Sequence, residues 1–442
     1  MAGPASAKAA PARVAALAAV SERRRRQGRI REILRASKEM SALDERDRAL
    51  ATRLAMGAVA AEGELDRIID SHVRRGSRLE PCVRDALRIS AFELVYLSTP
   101  AAVAASQGVE LVRGVAPKAA GLANAVLRRV ADRDTAAYAK LLENVGGEKV
   151  TTEELMRLGG LPLWLAEAGL ESLGAQRAVA WARHALEPVV ASVAVNRALN
   201  GADEAEALLK GAECEPVEGP LPGSFVLGRP SRLVSSGLVE GADVVPCDLA
   251  AQETALLARP AAGARVLEVG QGRGTKSILL ESVAIAAGEP CKILAVELDA
   301  KKSDLAARRM EAAGLSEHVG CICDDATALN SVEGTFDLVF VDAPCSGTGT
   351  LARHPEIAWS LAEKSVAGLA STQQQMLAAA AAHVARGRRL VYSTCSILEE
   401  ENERVVEAFL ASPAGLGFSL VSMHRTDIPG ADCHFAATLR RG

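Results

Sequence analysis

The chain has 442 residues, room for two to four domains at roughly one per 100–200 residues. Its 51 basic and 55 acidic side chains leave a net charge of −4. That excludes a uniformly basic nucleic-acid binder, though not one that works through local patches. Alanine is abundant and aromatic residues make up only 3% of the chain, so helices are favoured and base-stacking surface is scarce.

Nine cysteines occur at irregular spacing and the N-terminus, Met1 to Lys8, has no apolar segment of signal-peptide type. Reduced thiols and a cytoplasmic location are the expectation. No run approaches the roughly 20 apolar residues of a membrane span, so no membrane association is expected. The close pair Cys321-Ile322-Cys323 alternates across a strand and lacks C-x₂-C zinc spacing, so no metal site is expected.

Residues 1–11 form an Ala/Pro/Lys tail that is expected to be disordered. From Ala12 to Ala139 the apolar spacing is helical throughout, which predicts an all-α bundle over 12–145. Ser41 with Asp44 resembles a capping box ahead of Leu50, Leu54 and Ala58. Val83, Leu87, Ala91 and Leu94 make a second stripe, and Leu122, Val126 and Val130 a third. Between Lys8 and Lys38 lie Arg13, Arg23, Arg24, Arg25, Arg26, Arg29, Arg31 and Arg35, opposed by Glu22 and Glu32. The run reads either as a solvated helix face or as a phosphate-contacting one. Arg74, Arg75 and Arg78 form a second basic cluster, in a predicted loop.

Residues 146–247 predict a small α+β connecting domain. Helical stretches at Leu161–Leu173 and Gln176–His184 lead to a strand-like run, Val189–Val195, and then to a Pro/Gly-rich segment. Over 248–442 short apolar runs alternate with helices: Val266–Val269, Ile293–Glu297, Phe336–Asp342 and Arg389–Thr394. This is the signature of an α/β domain with a doubly wound, mostly parallel sheet. His434–Leu439 is expected to add an antiparallel edge strand.

The first of those strands runs into Gly270-Gln271-Gly272-Arg273-Gly274 and then Thr275-Lys276-Ser277. Alternating glycines let a backbone turn sharply and approach a ligand at the carboxyl end of a strand. The spacing is neither Walker-type nor the dinucleotide G-x-G-x-x-G. With Glu268 it resembles motif I of class I S-adenosylmethionine-dependent methyltransferases, which implies that cofactor over Gly270–Ser277. An acid should close the next strand and hold the ribose hydroxyls, and Glu297 does so. Asp325, or its neighbour Asp324, is the candidate for the adenine, and Asp342 completes the cofactor set.

Two cysteines end strand-like runs further on, Cys345 in Asp342-Ala343-Pro344-Cys345-Ser346-Gly347 and Cys395 in Ser393-Thr394-Cys395-Ser396. A thiolate is the nucleophile for a soft, electron-poor carbon, and two of them beyond a cofactor loop predict covalent activation of a pyrimidine. Cytosine C5 is too weakly nucleophilic to take a sulfonium methyl group until a thiolate adds at C6. Asp342 is the candidate to stabilise N3 during that addition. For a cysteine taken alone, the plainer alternative is a small buried hydrophobe.

Asp342–Gly349 followed by Arg353-His354-Pro355-Glu356 and Trp359 is similar to motif IV of the Sun/Fmu-type RNA 5-cytosine methyltransferases. Ser393–Ser396 with Glu400, Glu401, Asn402 and Glu403 resembles motif VI of that family. The resemblance implies Cys395 as nucleophile and Cys345 as the residue of product release or the base. Gly121–Arg129 resembles the last core helix of NusB-like RNA-binding domains, and that fusion is the layout of RsmB-like members, which act on 16S ribosomal RNA. RNA, 16S ribosomal RNA first, is the implied partner of a protein expected to be a monomer.

Two departures stand out: Gln271–Ser277 replaces the family's A-P-G-G-K-T loop, and Ala358 stands where a lysine commonly precedes the motif IV tryptophan. The altered loop motivates a rival reading, an RNA- or transcription-factor-binding protein with a vestigial methyltransferase module. A related enzyme acting on another RNA, such as tRNA, is the other alternative. Methylation of an exocyclic nitrogen is disfavoured, because the Asn/Asp-Pro-Pro-Tyr type of motif is missing.

Overall fold

The computed structural model describes residues 8–146 and 149–442; of the tail expected over residues 1–11, residues 1–7 lie outside the described residues. At its inner end Pro11 already opens a helix, where its fixed φ and missing N–H suit the first turn. The chain divides into two compact units. One runs to Pro188 and includes Thr350–Leu361; the other comprises Val189–Gly349 and Ala362–Gly442. No helix among the described residues is long and apolar enough to cross a membrane.

The first unit is helical, as the spacing predicts. Its core is built from Leu54, Leu65, Ile68, Ile69, Leu87, Ile89, Phe92 and Leu127, all 1% exposed or less. The predicted stripes point inward at Leu54, Ala58, Val83, Leu87, Ala91, Val126 and Val130, but Leu122 faces out. Asp44, not Ser41, caps the helix Glu45–Ala60: its carboxylate accepts from the Asp47 N–H at 2.8 Å, and Ser41 ends the preceding short helix. A reciprocal capping box does form further on, between Thr151 and Glu154. The helix Leu163–His184 breaks its regular geometry at Gly174, between the two stretches expected there.

Six arginines of the early basic run are engaged in ion pairs, Arg29 with Glu32 at 3.7 Å among them. Arg13 is buried against Glu93 in a two-pronged pair of 2.5 and 2.8 Å. Arg23 reaches Glu62 at 3.4 Å and Arg24 reaches Asp85 at 2.9 Å, while Arg25 and Arg26 both pair with Glu22. Arg13, Arg23 and Arg24 thus pin one helix to its neighbours. Thr350–Leu361 belongs here through Trp359, whose indole N–H donates to the Val59 carbonyl at 3.0 Å.

The second unit holds two sheets. A small antiparallel one has the order β2-β3-β1-β4, from β1 (Ser192–Val195), β2 (Pro216–Glu218), β3 (Ser224–Leu227) and β4 (Val244–Pro246). The large sheet comprises β5 (Arg265–Val269), β6 (Lys292–Glu297), β7 (Val319–Cys323), β8 (Phe336–Asp342), β9 (Val384–Thr394), β10 (Phe418–Arg425) and β11 (Phe435–Arg441). Its order is β10-β11-β9-β8-β5-β6-β7, with the pairs from β9 to β7 parallel. Both faces of β5 and β8 are covered. Leu267, Val269, Val339 and Val341 pack on the helices Lys364–Ala382 and Glu403–Ala411, while Val266, Leu338 and Phe340 pack on Thr275–Ala286. Burial on both faces is why these strands read as continuous apolar runs.

The expected C-terminal edge strand is β11, and it is not an edge. It lies between β9 and β10, paired antiparallel with both. The true edge, β10, escapes notice because none of its side chains is buried, so burial imprints no strong apolar period on it.

Phe92 is fully buried, and its ring fills the space beside Gly57 where a side chain would otherwise lie. Phe92→Ala should therefore lower the stability of the helical unit by about 3–5 kcal/mol, the usual cost of emptying such a site. Urea denaturation followed by circular dichroism measures it; a loss under about 1 kcal/mol would show that this core refills easily.

Candidate functional site

The glycine loop leaves β5 with positive φ at Gly270, Gly272 and Gly274. At Gly270 the requirement is also steric, since a Cβ there would collide with the Asp342 carbonyl oxygen. Glycine thus lets β5 and β8 stay together to their ends while the chain turns away. Gly274 then leads into the helix Thr275–Ala286, and the Gly270 and Gln271 N–H groups tie the turn to the Val296 carbonyl, both at 3.0 Å.

Glu297, at the end of β6, accepts from the Gly272 N–H at 2.8 Å and from the Asp299 N–H at 3.0 Å. Each carboxylate oxygen retains a second lone pair for a hydroxyl. Gln271 and Ser277 turn inward: the Gln271 amide donates to Ser277 Oγ and to Cys321 Sγ, both at 3.1 Å, and Ser277 donates to Glu268 at 2.6 Å. Glu268 is fully buried and burial pushes it up to about 8, so it carries a proton at neutral pH. One carboxyl oxygen of Glu268 and the amide oxygen of Gln271 have no partner among the described residues. Arg273 is exposed at the tip, where its carbonyl accepts from Arg309, which also reaches Thr275 Oγ1 at 3.2 Å. Asp325 is exposed, and its carboxylate holds the N–H and hydroxyl of Thr327 at 2.8 and 2.7 Å. Asp324 is tied into the same loop through Ser331.

Lys276 joins the loop to the cysteine region. Its ammonium meets Asp342 at 2.5 Å, and Asp342 also accepts from Ser393 Oγ at 3.2 Å. Burial opposes the lysine's charge, but the Asp342 carboxylate outweighs it and holds the pKa above the ordinary lysine value. Asp342 stands opposite Ser393 in the β8–β9 register, so both strands deliver their chains to one place. Just beyond, Cys345 Sγ and Cys395 Sγ lie 3.1 Å apart, both half-buried, and the Cys395 N–H points at Cys345 Sγ at 3.3 Å. Hydrogen bonding to Cys395, with burial, pushes the Cys345 thiol well above its usual range. A second negative charge at this separation would be repelled, which adds to the rise at Cys345.

The two loops are locked by groups to which motif reading alone gives no role. Glu401, fully buried, accepts from the Ser346 N–H at 2.8 Å, Ser346 Oγ at 2.5 Å and the Gln373 amide at 3.0 Å. Asn402 holds the other side, bonding Thr394 Oγ1 at 2.5 Å and the Ser396 carbonyl at 2.9 Å. Gly349 fits between Cys395 and Cys433, donating to one carbonyl and accepting from the other's N–H, both at 2.9 Å, where a Cβ would collide with both carbonyls. His434, one residue before β11, is buried; burial and then the Lys276 charge keep its pKa below the usual imidazole value. The signal for Glu401 and Asn402 lies in the Glu-Glu-Asn-Glu run. Nothing in the sequence marks His434. Arg353, His354, Glu356 and Trp359 belong to the helical unit, where Ala358 is buried at 4% exposure.

Residues 255–437 match the family model of the 16S rRNA methyltransferases RsmB/F, and residues 10–132 match the NusB family. The chain is 33% identical over 386 residues to ribosomal RNA small subunit methyltransferase B of Thermus thermophilus, covering 87% of this chain and 84% of that one. In fold it is similar to the crystal structure of PH0851, with a TM-score of 0.73 at 22% identity over 99% of this chain and 100% of the other. NSun6 from Pyrococcus horikoshii, solved with SFG, an analogue of S-adenosylmethionine, matches with a TM-score of 0.55 at 17% identity, covering 63% of this chain and 98% of that one.

A carboxyl whose folded pKa exceeds its unfolded one adds stability below the unfolded value and loses it as pH rises through the folded one. For Glu268 that window runs from about 4.5 to about 8. Unfolding free energy should fall across it by up to about 1.4 kcal/mol per pH unit. Glu268→Gln should flatten the slope in urea titrations at stepped pH, leaving the part due to Glu281, which burial pushes up to about 7. An unchanged slope would contradict the protonated state assigned to Glu268.

Proposed function

The chain belongs to the RsmB/F family of 16S rRNA methyltransferases, and from that premise we propose that it methylates C5 of a cytosine in RNA, 16S ribosomal RNA first, through a covalent Cys395–C6 adduct. The carrying observation is the pair of thiols 3.1 Å apart at the ends of β8 and β9, next to the Lys276–Asp342 ion pair. S-adenosylmethionine, the family's cofactor, supplies an electrophilic methyl group when bound. The residues present fit it: the Gly270–Gly274 turn has open space at Gly272, and Glu297 keeps free lone pairs for the ribose hydroxyls. The inward-turned Gln271 and Ser277 serve the shape of the loop in this reading, while Asp325 is the residue assigned to the adenine.

In the reaction the Cys395 thiolate adds to C6 of the unstacked base, breaking the aromatic ring and making C5 enamine-like. Asp342 passes a proton from the Lys276 ammonium to N3, neutralising the negative charge that builds there during addition, and the proton returns by the same route on release. After C5 has taken the methyl group, a base removes its proton and the electrons return to expel the Cys395 thiolate. Cys345, in hydrogen-bond reach of Cys395, is the group assigned to that release. The helical residues 12–145 grip RNA, 146–247 connect, and 248–442 carry the chemistry. Because Arg13, Arg23 and Arg24 are spent on ion pairs, the phosphate contacts of the helical part fall to other cations, among them the loop arginines Arg74, Arg75 and Arg78.

Cys345→Ala should accumulate a protein–RNA adduct that survives denaturing gels, whereas Cys395→Ala should form none and lose activity by at least ~10³-fold. Full activity in Cys395→Ala would overturn the assignment. Isothermal titration with S-adenosylmethionine separates this reading from that of a vestigial module, which would bind none.

A further inference from the structure

At the pole of the large sheet opposite the cysteines, arginines gather in a way the reaction does not explain. Phe336 of β8 pairs with Val384 of β9, yet Leu338 pairs with Arg389, so two steps on one strand face five on the other. The extra residues loop out and carry Arg386 and Arg388, both exposed. Arg389 then stands directly across from Arg440 in the β9–β11 register, an arrangement of like charges that weakens a sheet. The Arg389 guanidinium also donates to the Arg259 carbonyl at 2.7 Å, bringing a third cation close. These groups border a cavity of about 320 Å³ lined by Asp337, Arg388, Arg389 and Arg440. Asp337 is the one carboxylate of that lining among the described residues, and it is taken by Arg388 at 3.0 Å and by the Arg265 N–H at 3.0 Å.

Arg388 has Asp337, whereas Arg389 and Arg440 donate to the carbonyls of Arg259 and Gly387, which leave the charges of these two guanidinium groups unbalanced. They are stabilised when an anion sits among them, and the planar guanidinium fork matches phosphate oxygens. We infer that this pole is a second phosphate-binding surface, which holds the backbone of a structured RNA away from the reacting base. The inference rests on the RNA substrate proposed above. Asp337 at the cavity and Asp342 at the catalytic end are five residues apart on one strand, about 17 Å at ~3.3 Å per residue. A short oligonucleotide, here a pentanucleotide centred on the target base with two nucleotides on each side at ~3.4 Å apiece, therefore does not span both, whereas a folded ribosomal RNA domain does. The surface contributes affinity and not chemistry.

The test compares the unmodified chain with Arg386→Gln/Arg388→Gln/Arg440→Gln on two substrates, a 16S rRNA transcript and a short oligonucleotide carrying the same target cytosine. The triple variant should bind the transcript roughly tenfold more weakly, with the slope of log affinity against log salt reduced by about 1.5, the effect of losing two phosphate contacts. KM for the transcript should rise while kcat, S-adenosylmethionine binding and activity on the oligonucleotide stay unchanged. The corresponding triple lysine variant should restore most of the affinity. An unmodified chain that binds no RNA would overturn the functional reading and this one with it. A triple variant that binds the transcript as tightly and with the same salt slope, or that loses activity equally on both substrates, would overturn the second surface alone.

Discussion

The register of β8 against β9 is the constraint on which the rest of the site depends. With Asp342 opposite Ser393, the chain beyond each strand brings a cysteine to one point, and Asp342 remains free to take the Lys276 ammonium. Because strand side chains alternate in direction, a slip of one residue would turn Ser393 and its neighbours to the other face. The register is guarded on both sides: Val339, Val341 and Tyr392 bury into one core, Phe340 and Val391 into the other. Apolar burial far from the thiols thus sets the 3.1 Å between them.

Past the strand ends no ladder is available, and polar groups take over. Glu401 serves the Cys345 loop and Asn402 the Cys395 loop, and the two are consecutive in sequence. One short turn therefore fixes both loops relative to each other. Buried carboxylates are costly unless their lone pairs are filled, and Glu401 has three donors that fill them. Glu268 shows the opposite solution. With one donor, and with burial outweighing the Lys276 charge, it keeps its proton instead.

Much of this is legible in the sequence, for identifiable reasons. The all-α unit, the doubly wound sheet and its four apolar strands follow from periodicity, because each element buries its face against its own unit. Gly270, Lys276, Asp342, Cys345 and Cys395 can be singled out because their motifs are local. What escapes is set by distant partners. β10 buries no side chain and is unpatterned, so β11 reads as the edge. Asp44 rather than Ser41 caps its helix, a choice of two neighbours that turns on backbone geometry. The early arginines read as a possible phosphate face, yet their acids, Glu62, Asp85 and Glu93, lie 39 to 80 residues away in sequence. The inward turn of Gln271 depends on Ser277 and Cys321, which only the fold brings beside it.

The central claim is that Cys395, rather than its neighbour, attacks the base while Cys345 serves the release. RNA in which the target cytosine carries fluorine at C5 tests it on the unmodified protein, because the atom at C5 can no longer leave as a proton and the adduct is trapped. Digestion and mass spectrometry of the trapped complex, formed with S-adenosylmethionine present, should find the nucleotide on the peptide containing Cys395. Attachment at Cys345, or no adduct under conditions where the unfluorinated RNA is methylated, would contradict the account.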